Sequence, residues 1–133
     1  MKIDHIGIVV KDLNLAIAEY QKLYNAKVSD REKFEDRNVE LAFIEFANTS
    51  VELLSPISFE QTETALVKTL NLRGPGLHHI CYEVSDIIAE LSKLKAQGIE
   101  LIDEKPRKGA RGSIIAFFKP QTFDAVLVEL CQY

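Results

Sequence analysis

The sequence predicts an α+β fold built from two repeated strand–helix–strand–strand–strand modules, with the helices on one face of the sheet. Three observations carry that prediction. The stretch Ile3-Asp4-His5-Ile6-Gly7-Ile8-Val9-Val10-Lys11-Asp12 returns as Leu77-His78-His79-Ile80-Cys81-Tyr82-Glu83-Val84-Ser85-Asp86, so that at a shift of 74 positions His5 falls on His79, Val10 on Val84 and Asp12 on Asp86. The ends of the halves match as well: Val51-Glu52-Leu53-Leu54 resembles Val128-Glu129-Leu130-Cys131. In both halves an alternating apolar pattern changes, at the aspartate, to three- and four-residue spacing, the switch from strand to helix.

Residues 3–10 alternate as a strand. Ile3, His5, Gly7 and Val9 share one face; Asp4, Ile6, Ile8 and Val10 share the other, which needs a helix packed on it. Asp12 is placed to cap that helix, Leu13, Ile17, Tyr20 and Tyr24 form its buried stripe, and Asn25 ends it. A polar strand over 26–35, a turn at Asp36-Arg37-Asn38 and a strand over 39–46 follow. After Ala47-Asn48-Thr49, residues 50–54 form a strand with Val51 and Leu53 toward the helix and Glu52 on the opposite face.

Residues 57–75 read as a linker with a helix over 59–71, broken by Arg73-Gly74-Pro75-Gly76. The second half repeats the order. Leu77, His79, Cys81 and Glu83 face as His5 does, and Asp86 caps a helix whose stripe is Ile87, Leu91 and Leu94 and which Gly98 closes. Short strands are expected over 100–103, 113–118 and 125–130. The whole, residues 1–133, is expected to form one domain with modules 1–56 and 76–133.

A chain of 133 residues, 47% apolar, buries a sufficient core without disulfides, and its two cysteines suit a reducing compartment. Strand patterning starts within two residues of Met1 and no apolar run is long enough to span a bilayer, so a soluble, cytoplasmic protein is expected. Sixteen basic against 20 acidic residues argue against a nucleic-acid partner. Four of those basic residues, Lys105, Arg107, Lys108 and Arg111, share one Gly/Pro-punctuated loop that reads either as solvated or as an anchor for an anionic substrate.

His5, Glu52, His79 and Glu129 all fall on the face away from the helices. Singly, a strand histidine is usually a satisfied core residue and a strand glutamate is usually solvated. The same types at equivalent places twice point instead to a metal. Imidazole and carboxylate donors together suit Co, Mn, Ni or Zn and leave positions open for substrate oxygens. Cys81 and Cys131 read as small buried hydrophobes on the same face. Glu40 has Ile114 as its counterpart in the second half, and that break in symmetry marks either a candidate reacting group or a solvent-exposed carboxylate.

These residues resemble the vicinal oxygen chelate superfamily (glyoxalase, bleomycin resistance and dioxygenase proteins) along essentially the whole chain. Within it, Asp4 to Val10, Glu52-Leu53-Leu54-Ser55-Pro56, Gly76 to Ile80, Ile102-Asp103-Glu104-Lys105-Pro106-Arg107 with Gly109-Ala110, and Val126 to Leu130 look most like the methylmalonyl-CoA epimerases. The resemblance implies a cupped mixed sheet around a divalent metal held by His5, Glu52, His79 and Glu129, a homodimer, and proton abstraction from an acyl-CoA through a metal-stabilised enolate. It implies catalytic roles for Glu40 and Glu129, and contacts to CoA phosphates from Lys105, Arg107, Lys108 or Arg111. Arg111 stands where these epimerases usually carry histidine, and Phe123-Asp124-Ala125 where they usually carry glycines. The alternatives are a glyoxalase I-like lactoylglutathione lyase, a ring-cleaving dioxygenase, and a metal-free drug-binding protein of the same fold.

Overall fold

The computed structural model describes residues 1–120 and 126–133, which form two compact units, Gly7–Leu77 on one side and Met1–Ile6 with His78–Tyr133 on the other. Strand β1 (Lys2–Val9) is divided between them. The expected strand start at Ala125 lies outside the described residues.

In the unit Gly7–Leu77 the strand order is β2-β3-β4-β1, where β2 is Lys27–Phe34, β3 is Val39–Glu45 and β4 is Ser50–Pro56. Helix α1 (Leu13–Tyr24) begins where the sequence requires: the Asp12 carboxylate accepts from the Leu15 N–H at 3.0 Å, and Asn25 closes it in the left-handed conformation. Leu13 and Ile17 pack on Ala42, Ile44 and Leu53, with Ile8, Val10 and Val51 beside them. The expected stripe is shorter than its spacing suggested. Tyr24 is exposed and rests against Tyr20 and Phe46 rather than in the core.

The linker helix α2 spans Ala65–Arg73, not 59–71. Its start is delayed because the preceding residues are committed to turns. Asn38, left-handed and fully buried, donates to the Ser58 carbonyl and the Thr64 hydroxyl and accepts from the Ser58 N–H, while Thr64 donates to the Gln61 carbonyl. α2 packs its Leu66 and Leu70 with Val9, Leu54 and Val39. Adjacent Leu53 and Leu54 thus point to opposite faces and serve two different helices.

In the other unit the strand order is β1-β5-β8-β7-β6, with β5 Gly76–Glu83, β6 Arg107–Lys108, β7 Ile114–Phe118 and β8 Leu127–Gln132. β5 and β8 run parallel, pairing His79 with Leu127 and Cys81 with Glu129; β7 is antiparallel to β8, pairing Phe117 with Glu129. Asp86 caps helix α3 (Ile87–Ala96) through the Ala89 N–H, and Ile87 and Leu91 bury against Val84, Ala116, Phe118, Val128 and Leu130. Helix α3 therefore covers the face His79 avoids.

No strand forms over 100–103; Leu101 makes only an isolated bridge to Phe118. Backbone and side-chain bonds to Phe117 hold the segment instead. The N–H groups of Ile102 and Asp103 both donate to the Phe117 carbonyl, and the Asp103 carboxylate accepts from the Phe117 N–H. The strand lies in the basic loop, as β6. Gly109 makes that pairing possible, because a Cβ there would stand 2.4 Å from the Ile115 side chain.

Truncating Ile87, fully buried at the head of α3, is expected to cost about 2–5 kcal/mol of unfolding free energy. Removing either cap, Asp12→Ala or Asp86→Ala, should cost about 1 kcal/mol. Urea unfolding followed by circular dichroism separates the two magnitudes.

Candidate metal centre

β1 and β5 carry His5 and His79 as inward residues of a period-two pattern, and β8 brings Glu129 beside them. All three are buried, at 4%, 1% and 5% relative exposure. The His5 and His79 Nε2 atoms stand 3.1 Å apart, and a Glu129 oxygen lies 3.2 Å from His79 Nε2. Two further neighbours are apolar or weakly polar. The Phe117 ring meets the His79 ring edge-on at 5.4 Å, and the Cys81 thiol donates to the other Glu129 oxygen at 3.6 Å.

The outer nitrogens are also occupied. Asp4 Oδ1 lies 2.6 Å from His5 Nδ1, and His78 Nδ1 lies 2.9 Å from His79 Nδ1. Asp4 in turn accepts from the Arg111 guanidinium and from the Tyr133 hydroxyl. Burial pushes the Asp4 carboxyl up, but the hydrogen bond from His5, the Arg111 charge and Tyr133 outweigh it and hold it below the usual carboxylate range. Burial, then the hydrogen bond with Cys131 and the Glu129 charge, push the Cys81 thiol far up. It stays a protonated donor.

Two donors bonded to one ion at about 2.0–2.2 Å and at right angles stand about 3 Å apart. The 3.1 and 3.2 Å separations fit adjacent positions on such an ion. Two imidazoles whose outer nitrogens are engaged, converging with a buried carboxylate, form a ligand set compatible with a divalent metal.

Of the residues singled out from the sequence, the structure brings together His5, His79 and Glu129. Glu52 lies in the unit Gly7–Leu77, buried on β4 opposite Phe43 and on the face away from α1. Glu40 follows the alternation of its strand: it pairs with Ser55, and the pleat sets it with Ala42 and Ile44 on the α1 side of β3, the face opposite Glu52.

The basic loop also divides. Arg111 is not an outward anchor: it adopts a left-handed conformation (φ 56°) that turns its side chain in to Asp4 and Tyr133. Arg107, opposite Ile115, lies over the Phe117 ring and is held by Asp103 at 3.1 Å. Lys105 and Lys108 are exposed.

Sequence reasoning missed Asp4, Phe117 and Tyr133. Asp4 was detectable, because it precedes His5 as His78 precedes His79. Tyr133 reaches Asp4 across 129 positions, and no local signal announces such a contact.

Residues 4–117 match the Glyoxalase/Bleomycin resistance protein/Dioxygenase superfamily, and the chain belongs to that superfamily. Within it the chain is homologous to methylmalonyl-CoA epimerases. It is 38% identical over 132 residues to the ethylmalonyl-CoA/methylmalonyl-CoA epimerase of Cereibacter sphaeroides, covering 98% of this chain and 97% of that one. The crystal structure of methylmalonyl-CoA epimerase from Mycobacterium tuberculosis superposes with a TM-score of 0.89 at 30% identity, over 98% of this chain and 87% of that one. A variant Streptomyces coelicolor methylmalonyl-CoA epimerase in complex with 2-nitronate-propionyl-CoA superposes with a TM-score of 0.89 at 30% identity, over 99% and 94% of the two chains.

Two outcomes follow from these surroundings. Neither buried thiol, Cys81 nor Cys131, should react with a thiol-specific disulfide reagent in the native protein, and both should react once it is unfolded. The lowered Asp4 pKa means that its stabilisation is present above the ordinary carboxylate range and is lost as pH falls through the native value. The difference in unfolding free energy between wild type and Asp4→Asn should therefore hold steady near neutrality and shrink below about pH 5. Urea titrations at a series of pH values measure it.

Proposed function

We propose that this protein is a metal-dependent methylmalonyl-CoA epimerase, a cytoplasmic homodimer, in which His5, Glu52, His79 and Glu129 hold a divalent Co, Mn, Ni or Zn ion. The convergence of His5, His79 and Glu129 in a dry setting carries the reading. Glu52 joins the set because it occupies in the first module the place Glu129 occupies in the second, and because it is buried at 5% exposure on β4. A divalent ion would supply a counter-charge for a carboxylate buried there. Homology to epimerases over nearly the whole length favours this substrate class over a lactoylglutathione lyase or a drug-binding protein.

When bound, the metal supplies a Lewis acid that lowers the cost of the enolate formed when the proton between thioester and carboxylate is removed. The chain's own groups do the rest. Glu129 is the candidate proton carrier: one oxygen lies by His79 and the other receives the Cys81 thiol, so the carboxylate is fixed in place without being neutralised. Glu40 is given no part, because its strand directs it to the α1 side. Phe117 and the apolar edge of Cys131 exclude water from the carboxylate.

Arg107 takes an anionic end of the substrate. It sits over Phe117 on the face that carries Glu129, and Asp103 orients its guanidinium without using all five donors. Lys105 and Lys108 are exposed for the CoA phosphates.

The test is hydrogen exchange at C2 of methylmalonyl-CoA in D2O, followed by NMR with Co2+ or Mn2+ present. Deuterium should enter only with metal, and Glu129→Gln should lower the rate about a hundredfold or more. Metal-bound protein that exchanges nothing would sink the epimerase reading and redirect the search to hemithioacetals.

A further inference from the structure

The repeat reaches one layer beyond the ligands. Asp4 precedes His5 and His78 precedes His79, at the same shift of 74. In both halves that preceding residue contacts the outer nitrogen of its histidine, at 2.6 and 2.9 Å. The two contacts differ in chemistry. An ionised carboxylate only accepts, whereas a neutral imidazole nitrogen either donates or accepts according to its tautomer.

That difference decides where the protons lie. Asp4, held ionised by Arg111 and also bonded by Tyr133, takes the one N–H of neutral His5 at Nδ1, which leaves the His5 Nε2 lone pair facing His79. The 3.1 Å contact between the two Nε2 atoms is a hydrogen bond only if one of them carries a proton. His5 already carries its one proton on Nδ1, donated to Asp4, so the bridging proton belongs to His79. A metal needs the lone pairs of both Nε2 atoms. His5 offers its own at once; His79 must first carry its proton on Nδ1, where His78 Nδ1 stands 2.9 Å away as an acceptor.

We propose that Asp4 and His78 are positioning residues with divided roles: Asp4 presets His5 as a ligand, and His78 is the acceptor that lets His79 exchange tautomers when a divalent ion enters. The exchange balances. His79 gives up its Nε2 proton and gains one at Nδ1, while His78 gives up its Nδ1 proton and gains one at Nε2, so neither ring changes charge. The inference rests on the metal site proposed above and concerns how that site loads.

The test uses protein labelled with 15N at histidine and reads tautomers by long-range 1H–15N NMR, without metal and with Zn2+. Without metal, His5 should be the Nδ1–H form and His79 the Nε2–H form; with Zn2+ both should be Nδ1–H. Asp4→Asn and His78→Leu should each weaken Zn2+ binding by calorimetry about 10- to 100-fold. His78→Asn, which keeps an acceptor, should restore most of the loss and serves where the leucine variant fails to fold. Finding His5 as the Nε2–H form without metal, or Zn2+ affinity unchanged in all variants, overturns the proposal and leaves the epimerase reading standing. Wild-type protein that takes up no divalent ion overturns both.

Discussion

Ionisable side chains inside a dry sheet face are the constraint on which the rest of this structure depends. Uncompensated, a buried carboxylate or an unbonded imidazole nitrogen costs more than most single contacts return. Here the buried groups of the unit Met1–Ile6 and His78–Tyr133 partner one another: His5 with Asp4 and His79, His79 with His78 and Glu129, Glu129 with Cys81, Asp4 with Arg111 and Tyr133. The helices follow from this. Because one face of β5 and β8 is given to polar groups, the apolar content of those strands must go to the other, and α3 exists to cover it with Ile87 and Leu91.

The same economy explains the cysteines. Small thiols at Cys81 and Cys131 fill space beside Glu129 where a larger hydrophobe would crowd the carboxylate, and the Cys81 S–H offers a weak bond without a competing charge. Phe117, directly across from Glu129, supplies bulk on one side to His79 and a platform on another to Arg107. One ring thus lies between His79 and Arg107.

Much of this was legible in the sequence because it is periodic and repeated. The faces of β1, β4, β5 and β8, both aspartate caps and the two histidines follow from alternation and from the shift of 74. What escaped is non-periodic. Arg111 turns inward through a backbone conformation rare outside glycine, and nothing in Gly109-Ala110-Arg111-Gly112 distinguishes that from an outward loop. Residues 59–64 have helical composition but answer to Asn38, twenty or more positions away.

The split of β1 bears on synthesis. His5 belongs with His78–Tyr133, while Gly7 onward belongs to the intervening unit, so the partners of Asp4 lie 107 and 129 positions downstream. Contacts of that separation form late, after the loop between them has been ordered. On a ribosome the intervening unit can pack first, with His5 tethered at its edge. Glu129 is not available until β8 has emerged, so a chain lacking its last strand presents His5 and His79 without the carboxylate beside them.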